Sequence, residues 1–195
     1  MVPHERLLVK LGHYGIRNNT QSWIRSFLSE RSQRVVVDGE ISQPAPVISG
    51  VPQGSVLGPI LFLIFINDMP ECVNAKCRLF ADDTIIYQNI TNTDDSQNLQ
   101  NDLNALSTWA DQWGMAFNPI KCNTIHISRK RKPSQFTYNL KGQPLETVDA
   151  ASYLGVQISK DVAWNHHISK MVAKANCSLA SIEGTLKPVR GRQKT

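Results

Sequence analysis

Two aspartates, Asp82 and Asp83, stand side by side in the stretch KCRLFADDTIIYQN, between apolar runs that read as strands. Neighbouring carboxylates repel, and each is costly to bury without a partner. On a regular strand the two side chains would point to opposite faces, whereas at the tip of a hairpin both can approach one point. Hard divalent cations such as Mg²⁺ take carboxylate oxygens and keep positions open for water and phosphate oxygens. With a third carboxylate from another strand, two such ions about 3.5–4 Å apart can activate a 3′ hydroxyl and stabilise a leaving pyrophosphate. An exposed turn with two solvated acids is the other reading of the same pair.

A second stretch with chemical potential is Gly50-Val51-Pro52-Gln53-Gly54-Ser55, a glycine-rich loop that runs into an apolar segment. Backbone amides of such a loop, together with a helix N-terminus, favour an anion, although a tight turn before a helix explains the same residues. The cysteines Cys72, Cys77, Cys122 and Cys177 have no paired metal spacing and read as reduced structural thiols. His166 and His167 read as a surface pair, because adjacent histidines do not easily share one ion.

The elements that must position these residues follow from periodicity. His4 to Tyr14 and Thr20 to Glu30 carry apolar residues at helical spacing, Leu7, Leu8 and Leu11 in the first and Trp23, Ile24, Phe27 and Leu28 in the second, with Gly15 between them. Asp38-Gly39 between extended runs signals a hairpin, and Pro44 and Pro46 suit an edge or irregular arm. Val56 to Ile66 is the strongest apolar run, too short for a membrane span of about 20 residues and expected to form a buried helix. Cys77 to Ala81 and Thr84 to Tyr87 flank the aspartates as a second hairpin. Asp95 to Trp113 reads as a long amphipathic helix. Thr124 to Ile127, Phe136 to Leu140 and Tyr153 to Ile158 read as short strands, and helix returns from about Trp164. Helices packed on a mostly antiparallel sheet make an α+β chain.

The 195 residues suffice for one good core, with or without an appendage. An apolar content of 41% and a charged content of 19% exclude an intrinsically disordered chain. The net charge of +5 makes a polyanion a plausible partner, with the positive residues concentrated in Arg129-Lys130-Arg131-Lys132 and in the tail from Lys187 through Arg190, Arg192 and Lys194. The polar start, Met1-Val2-Pro3-His4-Glu5-Arg6, is unlike a signal peptide. The expectation is an intracellular protein, nuclear or cytoplasmic, without a membrane partner.

Taken in order, SGVPQGSVLGPILFLIFINDMP, FADDT, NPIKC and YLGVQIS resemble the reverse transcriptases of non-LTR retrotransposons, especially jockey-like elements. The resemblance runs from VPHERLLVKLGHYGI to VAWNHHISKM. It implies a polymerase palm-like antiparallel sheet with packed helices. Residues 1–150 would form part of the palm, and 151–195 the primer-grip region and the start of a helical thumb. The implied activity is RNA-directed DNA polymerisation, a two-metal nucleotidyl transfer from a dNTP to a primer 3′ hydroxyl. Its partners would be an RNA template, a DNA primer and a dNTP, and its cofactor Mg²⁺, with Mn²⁺ as a substitute.

On matching positions, the resemblance makes Asp82 and Asp83 the palm aspartates and metal ligands, the first the firmer. Phe80 and Ala81 would pack beneath them and belong with Pro52, Gln53 and Gly54 to the nucleotide and template contacts. Lys121 matches a lysine proposed to protonate pyrophosphate, and Tyr153, Leu154 and Gly155 match the primer grip. A lone turn lysine and a core strand with a glycine bulge are the structural readings of those last two. In this family a D-x-x-K-A-F-D segment carrying the first catalytic carboxylate stands directly before V-P-H, where this sequence has Met1. The expectation is therefore that this carboxylate, the fingers, part of the thumb and the endonuclease are missing, leaving an isolated chain of little activity. The alternative is a catalytically dead nucleic-acid-binding remnant of the same fold.

Overall fold

Leu7, Leu8 and Leu11 lie on one side of α1 (His4–His13) and are all buried. Gly15, with φ of +82°, turns the chain into α2 (Asn18–Leu28), which buries Ile24 and Leu28. The four apolar residues expected to share one face of α2 are divided: Trp23 is 55% exposed, because it lies a third of a turn from the buried pair. The computed structural model describes residues 2–128, 130 and 136–185. The basic run at Arg129–Lys132, apart from Lys130, and the tail from Lys187 lie outside the described residues.

An exposed two-stranded ribbon follows. β1 (Ser32–Gln33) pairs with β4 (Ala45–Pro46), and between them β2 (Val36–Val37) pairs with β3 (Glu40–Ile41), all antiparallel. Asp38 at φ +50° and Gly39 at φ +87° make the tight turn expected there, since a two-residue loop that matches strand twist needs left-handed residues. Next, α3 (Leu57–Ile66) buries Gly58, Leu61, Phe65 and Ile66. The expected buried helix is covered over part of its surface, and Ile60 and Leu63 are exposed. A helix that is apolar on every side carries no sequence signal of which face is covered.

After a 3₁₀ turn at Met69–Cys72 come β5 (Lys76–Phe80) and β6 (Asp83–Tyr87), an antiparallel pair, and then α4 (Thr93–Trp113). Helix α4 starts on a capping box. Asn92 Oδ1 accepts the Asp95 amide at 2.8 Å, and the Asp95 carboxylate accepts the amides of Asn92 at 3.2 Å and Thr91 at 2.7 Å. Hydrogen bonds from the Thr91 side chain first, then from the Thr91 and Asn92 amides, hold the Asp95 carboxyl below its ordinary value. A depressed carboxyl stabilises the fold above the ordinary carboxylate range, and that support is lost as pH falls through it. Asn92→Ala should cost about 1 kcal/mol, seen as an earlier urea midpoint at unchanged slope.

Beyond a 3₁₀ turn at Pro119–Lys121, the remaining elements are β7 (Asn123–Thr124), β8 (Asn139–Leu140), β9 (Gln143–Pro144), β10 (Glu146–Thr147), β11 (Ala150–Tyr153), β12 (Val156–Ser159) and α5 (Asn165–Thr185). The anticipated single sheet is replaced, among the described residues, by six two-stranded ladders, five antiparallel and one, β7 with β10, parallel. Four of these ladders are only two residue pairs long. The expected strands Thr124–Ile127 and Phe136–Leu140 are shorter than their apolar runs, and Tyr153–Ile158 is broken by a turn.

The chain divides into two compact units. Among the described residues, the first holds everything up to Lys121 together with Tyr138–Leu145, and the second holds Cys122–Thr137 and the chain from Glu146. In the first, α1, α2 and α3 pack together, and α4 covers β8 and the 3₁₀ turn at Met69–Cys72. Gln100 of α4 grips β8 by both ends of its amide, donating to Asn139 O at 2.8 Å and accepting Asn139 N at 2.7 Å. The second unit has β11 and β12 as a hairpin, with α5 against β12. No described helix is long and apolar enough to cross a membrane.

Lys10 sits in the middle of the first unit and is buried. Its ammonium donates to Phe65 O at 2.6 Å and to the Asp68 carboxylate, and it lies 4.8, 4.6 and 3.9 Å from the ring centroids of Phe65, Trp109 and Trp113. Burial lowers its pKa from the usual lysine value, and the hydrogen bond and charge of Asp68 partly offset that. All four cysteines are free thiols, as expected.

Candidate active site

Strand β5 pairs with β6 in a register that sets Phe80 opposite Asp83, so Ala81 and Asp82 alone make the turn. Ala81 takes φ of +51°, which a two-residue hairpin demands of its first turn residue and which a side chain tolerates poorly. Asp82 is thus carried in the turn and Asp83 on the first residue of the returning strand, both exposed. The alternation along β5 buries Cys77 and half-buries Leu79 while Lys76, Arg78 and Phe80 face outward. Phe80 is accordingly 62% exposed rather than packed beneath the aspartates, and Ala81 is exposed beside it. The correction follows from strand period: Phe80 is an odd step from the residues that face the core.

The foot of the hairpin is anchored from α4. Asp102, 3% exposed, accepts the amides of Asn74 at 3.0 Å and Ala75 at 2.8 Å, where the chain enters β5. A buried carboxylate that receives such donors is satisfied and fixes where the strand starts. The sequence held a signal for this residue: Asp102 lies three residues after Leu99 and four before Leu106, on the apolar side of the helix.

The glycine-rich loop precedes α3 and is held at its start by the N-terminal segment. Gly50 N donates to Val2 O at 2.7 Å, His4 Nε2 bonds Gly50 O at 2.8 Å, and Pro3 bridges Ser49. Inside the loop the Ser55 hydroxyl donates to Pro52 O at 2.7 Å and accepts Gly58 N at 3.0 Å, so it serves as a local cap. Gly54 has φ of +78° and no protein atom within 4 Å of the place a Cβ would take, leaving open space over its backbone. Pro52 is half-buried, and Gln53 and Gly54 are exposed. Sequence reasoning missed Gly58, whose Cβ would stand 2.4 Å from Pro52 O. Only glycine lets α3 press this closely on the loop.

Lys121 closes the 3₁₀ turn at the end of the first unit's main span and is exposed, its amide bonded to Asn118 O at 3.0 Å. In the second unit, Tyr153 ends β11 and pairs with Val156, while Leu154 at φ +48° and Gly155 at φ +80° form a two-residue turn. The expected continuous strand from Tyr153 is thus a hairpin, because Leu154 and Gly155 both adopt the left-handed conformation. His166 is exposed, whereas His167 accepts the Gln157 amide at 3.3 Å through Nδ1 and meets the Trp164 ring edge-on at 5.8 Å. So the hairpin tip gathers Phe80, Ala81, Asp82 and Asp83, the loop gathers Pro52, Gln53 and Gly54, and the other residues occupy separate stations.

As a metal site, the tip offers two exposed carboxylates, the hard oxygen donors that Mg²⁺ accepts alongside water. No group of three or more His, Cys, Asp or Glu residues placed for a metal occurs among the described residues. The donor type fits a divalent ion, with two protein ligands and room for solvent and phosphate oxygens.

Residues 1–158 match the family described as reverse transcriptase (RNA-dependent DNA polymerase). The chain is 30% identical over 174 residues to an RNA-directed DNA polymerase from mobile element jockey of Drosophila melanogaster, covering 85% of this chain and 19% of that relative. It is also 30% identical over 163 residues to a probable RNA-directed DNA polymerase from transposon X-element of the same species, covering 80% of this chain and 18% of the relative. A retrovirus-related Pol polyprotein from type-1 retrotransposable element R2 of Popillia japonica is 26% identical over 178 residues, covering 81% and 28% respectively. The chain spans about a fifth of the length of the first two, 19% and 18%.

Proposed function

Because the chain belongs to the reverse transcriptase family, as a reverse transcriptase domain of the non-LTR retrotransposon kind, we propose that its second hairpin is the metal-binding tip of a polymerase palm. In this reading residues 1–150 form part of the palm, and 151–195 supply the primer-grip region and the start of a thumb. The reaction is transfer of a nucleotide from a dNTP to a DNA primer's 3′ hydroxyl, directed by an RNA template. The observation that carries the proposal is the β5–β6 register, which delivers two exposed carboxylates to one hairpin tip.

Asp82 and Asp83 would hold the divalent ion, Mg²⁺ or Mn²⁺, which when bound acidifies the attacking hydroxyl and offsets charge on the phosphates. The chain's own residues do the remaining work. Asp102 fixes the foot of the hairpin, so the carboxylates at its tip need little reorganisation. The open backbone at Gly54 admits the flat face of a base or sugar, with Pro52 and Gln53 beside it and Phe80 and Ala81 bordering the tip. Lys121 is a mobile ammonium suited to donate a proton or charge to departing pyrophosphate. The tight turn of Tyr153, Leu154 and Gly155 is a rest for the primer end.

Mn²⁺ titration followed by paramagnetic broadening of amide resonances tests the assignment. Signals from Ala81 to Thr84 should broaden first in the wild-type chain and stay sharp in Asp82→Asn/Asp83→Asn. Equal broadening in both proteins would remove the tip from the active site.

A further inference from the structure

Trp23 and Phe27 lie four residues apart on the same side of α2, and Arg31 follows just beyond the helix end at Leu28. The indole and phenyl rings are stacked, with centroids 6.1 Å apart and planes 19° from parallel. The Arg31 guanidinium lies 5.9 Å from the Phe27 centroid. Ile24 and Leu28 are the buried residues of α2, while more than half of Trp23 stays open to solvent.

The surroundings are positive. Residues 17–34 contain Arg17, Arg25, Arg31 and Arg34 against one acid, Glu30, and all four arginines are exposed. Arg25 is paired with Glu5, an exposed contact that water and salt weaken. An open indole backed by a second ring and a guanidinium, among cations, combines the two features that bind single strands: a π face for a base and charge for its phosphates.

We propose that these residues form a stacking platform for single-stranded nucleic acid. An unpaired base lies on the free face of the Trp23 indole, and Arg31 and Arg34 neutralise the flanking phosphates. A duplex has no such use for it, because its bases are already stacked on one another. The platform shares no residue with the hairpin tip or the glycine-rich loop and needs neither metal nor dNTP. It rests on the polymerase reading only for the class of partner.

Fluorescence anisotropy of labelled 12-nucleotide RNA and DNA single strands, and of a 12-base-pair duplex, tests this on the whole chain without divalent ions. Trp23→Ala should weaken single-strand binding roughly tenfold, leave duplex binding unchanged and keep the salt slope. Trp23→Phe should retain most of the affinity, which separates stacking from misfolding, and Arg31→Gln should reduce the slope of log K against log salt by about 0.7. Loss on either the RNA or the DNA strand supports the platform and identifies the sugar it accepts. Unchanged single-strand affinity in Trp23→Ala, equal losses on single strand and duplex, or no binding by the wild-type chain overturns it. Broadening by Mn²⁺ at Ala81–Thr84 is read independently, so either reading can fail while the other stands.

Discussion

Asp82→Asn should slow nucleotide addition to a DNA primer on an RNA template by on the order of a hundredfold or more. The substitution keeps the shape of the side chain and removes one of two charges at the hairpin tip. Asn92 and Asn118 show how asparagine behaves elsewhere in this chain: its side-chain oxygen accepts backbone amides well. An amide oxygen cannot supply the anionic charge that a hard cation needs. Because Asp82 is in a solvent-facing turn, its replacement should leave the thermal midpoint where it was. Asp83→Asn should lower the rate less, in keeping with its place on the strand rather than in the turn. The measurement is single-turnover extension by one nucleotide in Mg²⁺, beside a melting curve for each variant. Wild-type extension by Asp82→Asn would show that the tip takes no part in the chemistry.

Asp68→Asn should destabilise the first unit by about 3 kcal/mol, the low end for breaking a buried pair because the carboxylate itself is partly exposed. The substitution strands the Lys10 ammonium with one carbonyl and three rings, which attract a cation without replacing a countercharge. Lys10→Met/Asp68→Asn, which removes both charges, should recover most of the loss. The pH dependence has a defined sign. A lysine whose folded pKa is lowered binds its proton more tightly in the unfolded chain, so stability rises with pH between the lowered value and the usual lysine range. Removing Asp68 lowers the folded pKa further, so the variant gains more than wild type between pH 7 and 9. The thiols of buried Cys77 and half-buried Cys72 and Cys122, pushed up by desolvation, act oppositely above the ordinary thiol range. They are present in both proteins and largely leave the difference. Urea denaturation of the three proteins at pH 7 and pH 9 checks this, and a penalty for Asp68→Asn that does not shrink at pH 9 refutes it.

Periodicity read the helices well because their inward residues are apolar: Leu7 and Leu11, Ile24 and Leu28, Leu103 and Leu106 are all buried as their spacing implied. Turn chemistry read the hairpin at Asp38-Gly39, which supplies the left-handed backbone its loop demands, whereas the hairpin at the aspartates was legible from the apolar runs that flank it. What stayed hidden is most of the polar interior, although the spacing of Asp102 from Leu99 and Leu106 marks its face of α4. Lys10, Gln100 and Asp102 are buried on helix faces, yet residue type alone marks them as surface. Burial is bearable only because Asp68, Asn139, Asn74 and Ala75 meet them, and partners 27 to 58 residues away leave no local trace. The outward turn of Phe80 was legible from strand alternation once the register was fixed, which sequence did not do.

The strand pair β8–β9 belongs to the first unit, while the residues on both sides of it belong to the second. Asn123 and Thr124 therefore meet Glu146 and Thr147 only across a stretch whose middle is pinned to α4 by Gln100. Pinning that stretch early shortens the free segment that the parallel ladder must close, and so lowers the entropy lost in closing it. Docking β8 on α4 before the parallel ladder closes is thus the entropically cheaper order. Dissection has a limit too: no single scission of the backbone between Lys121 and Glu146 yields two intact pieces.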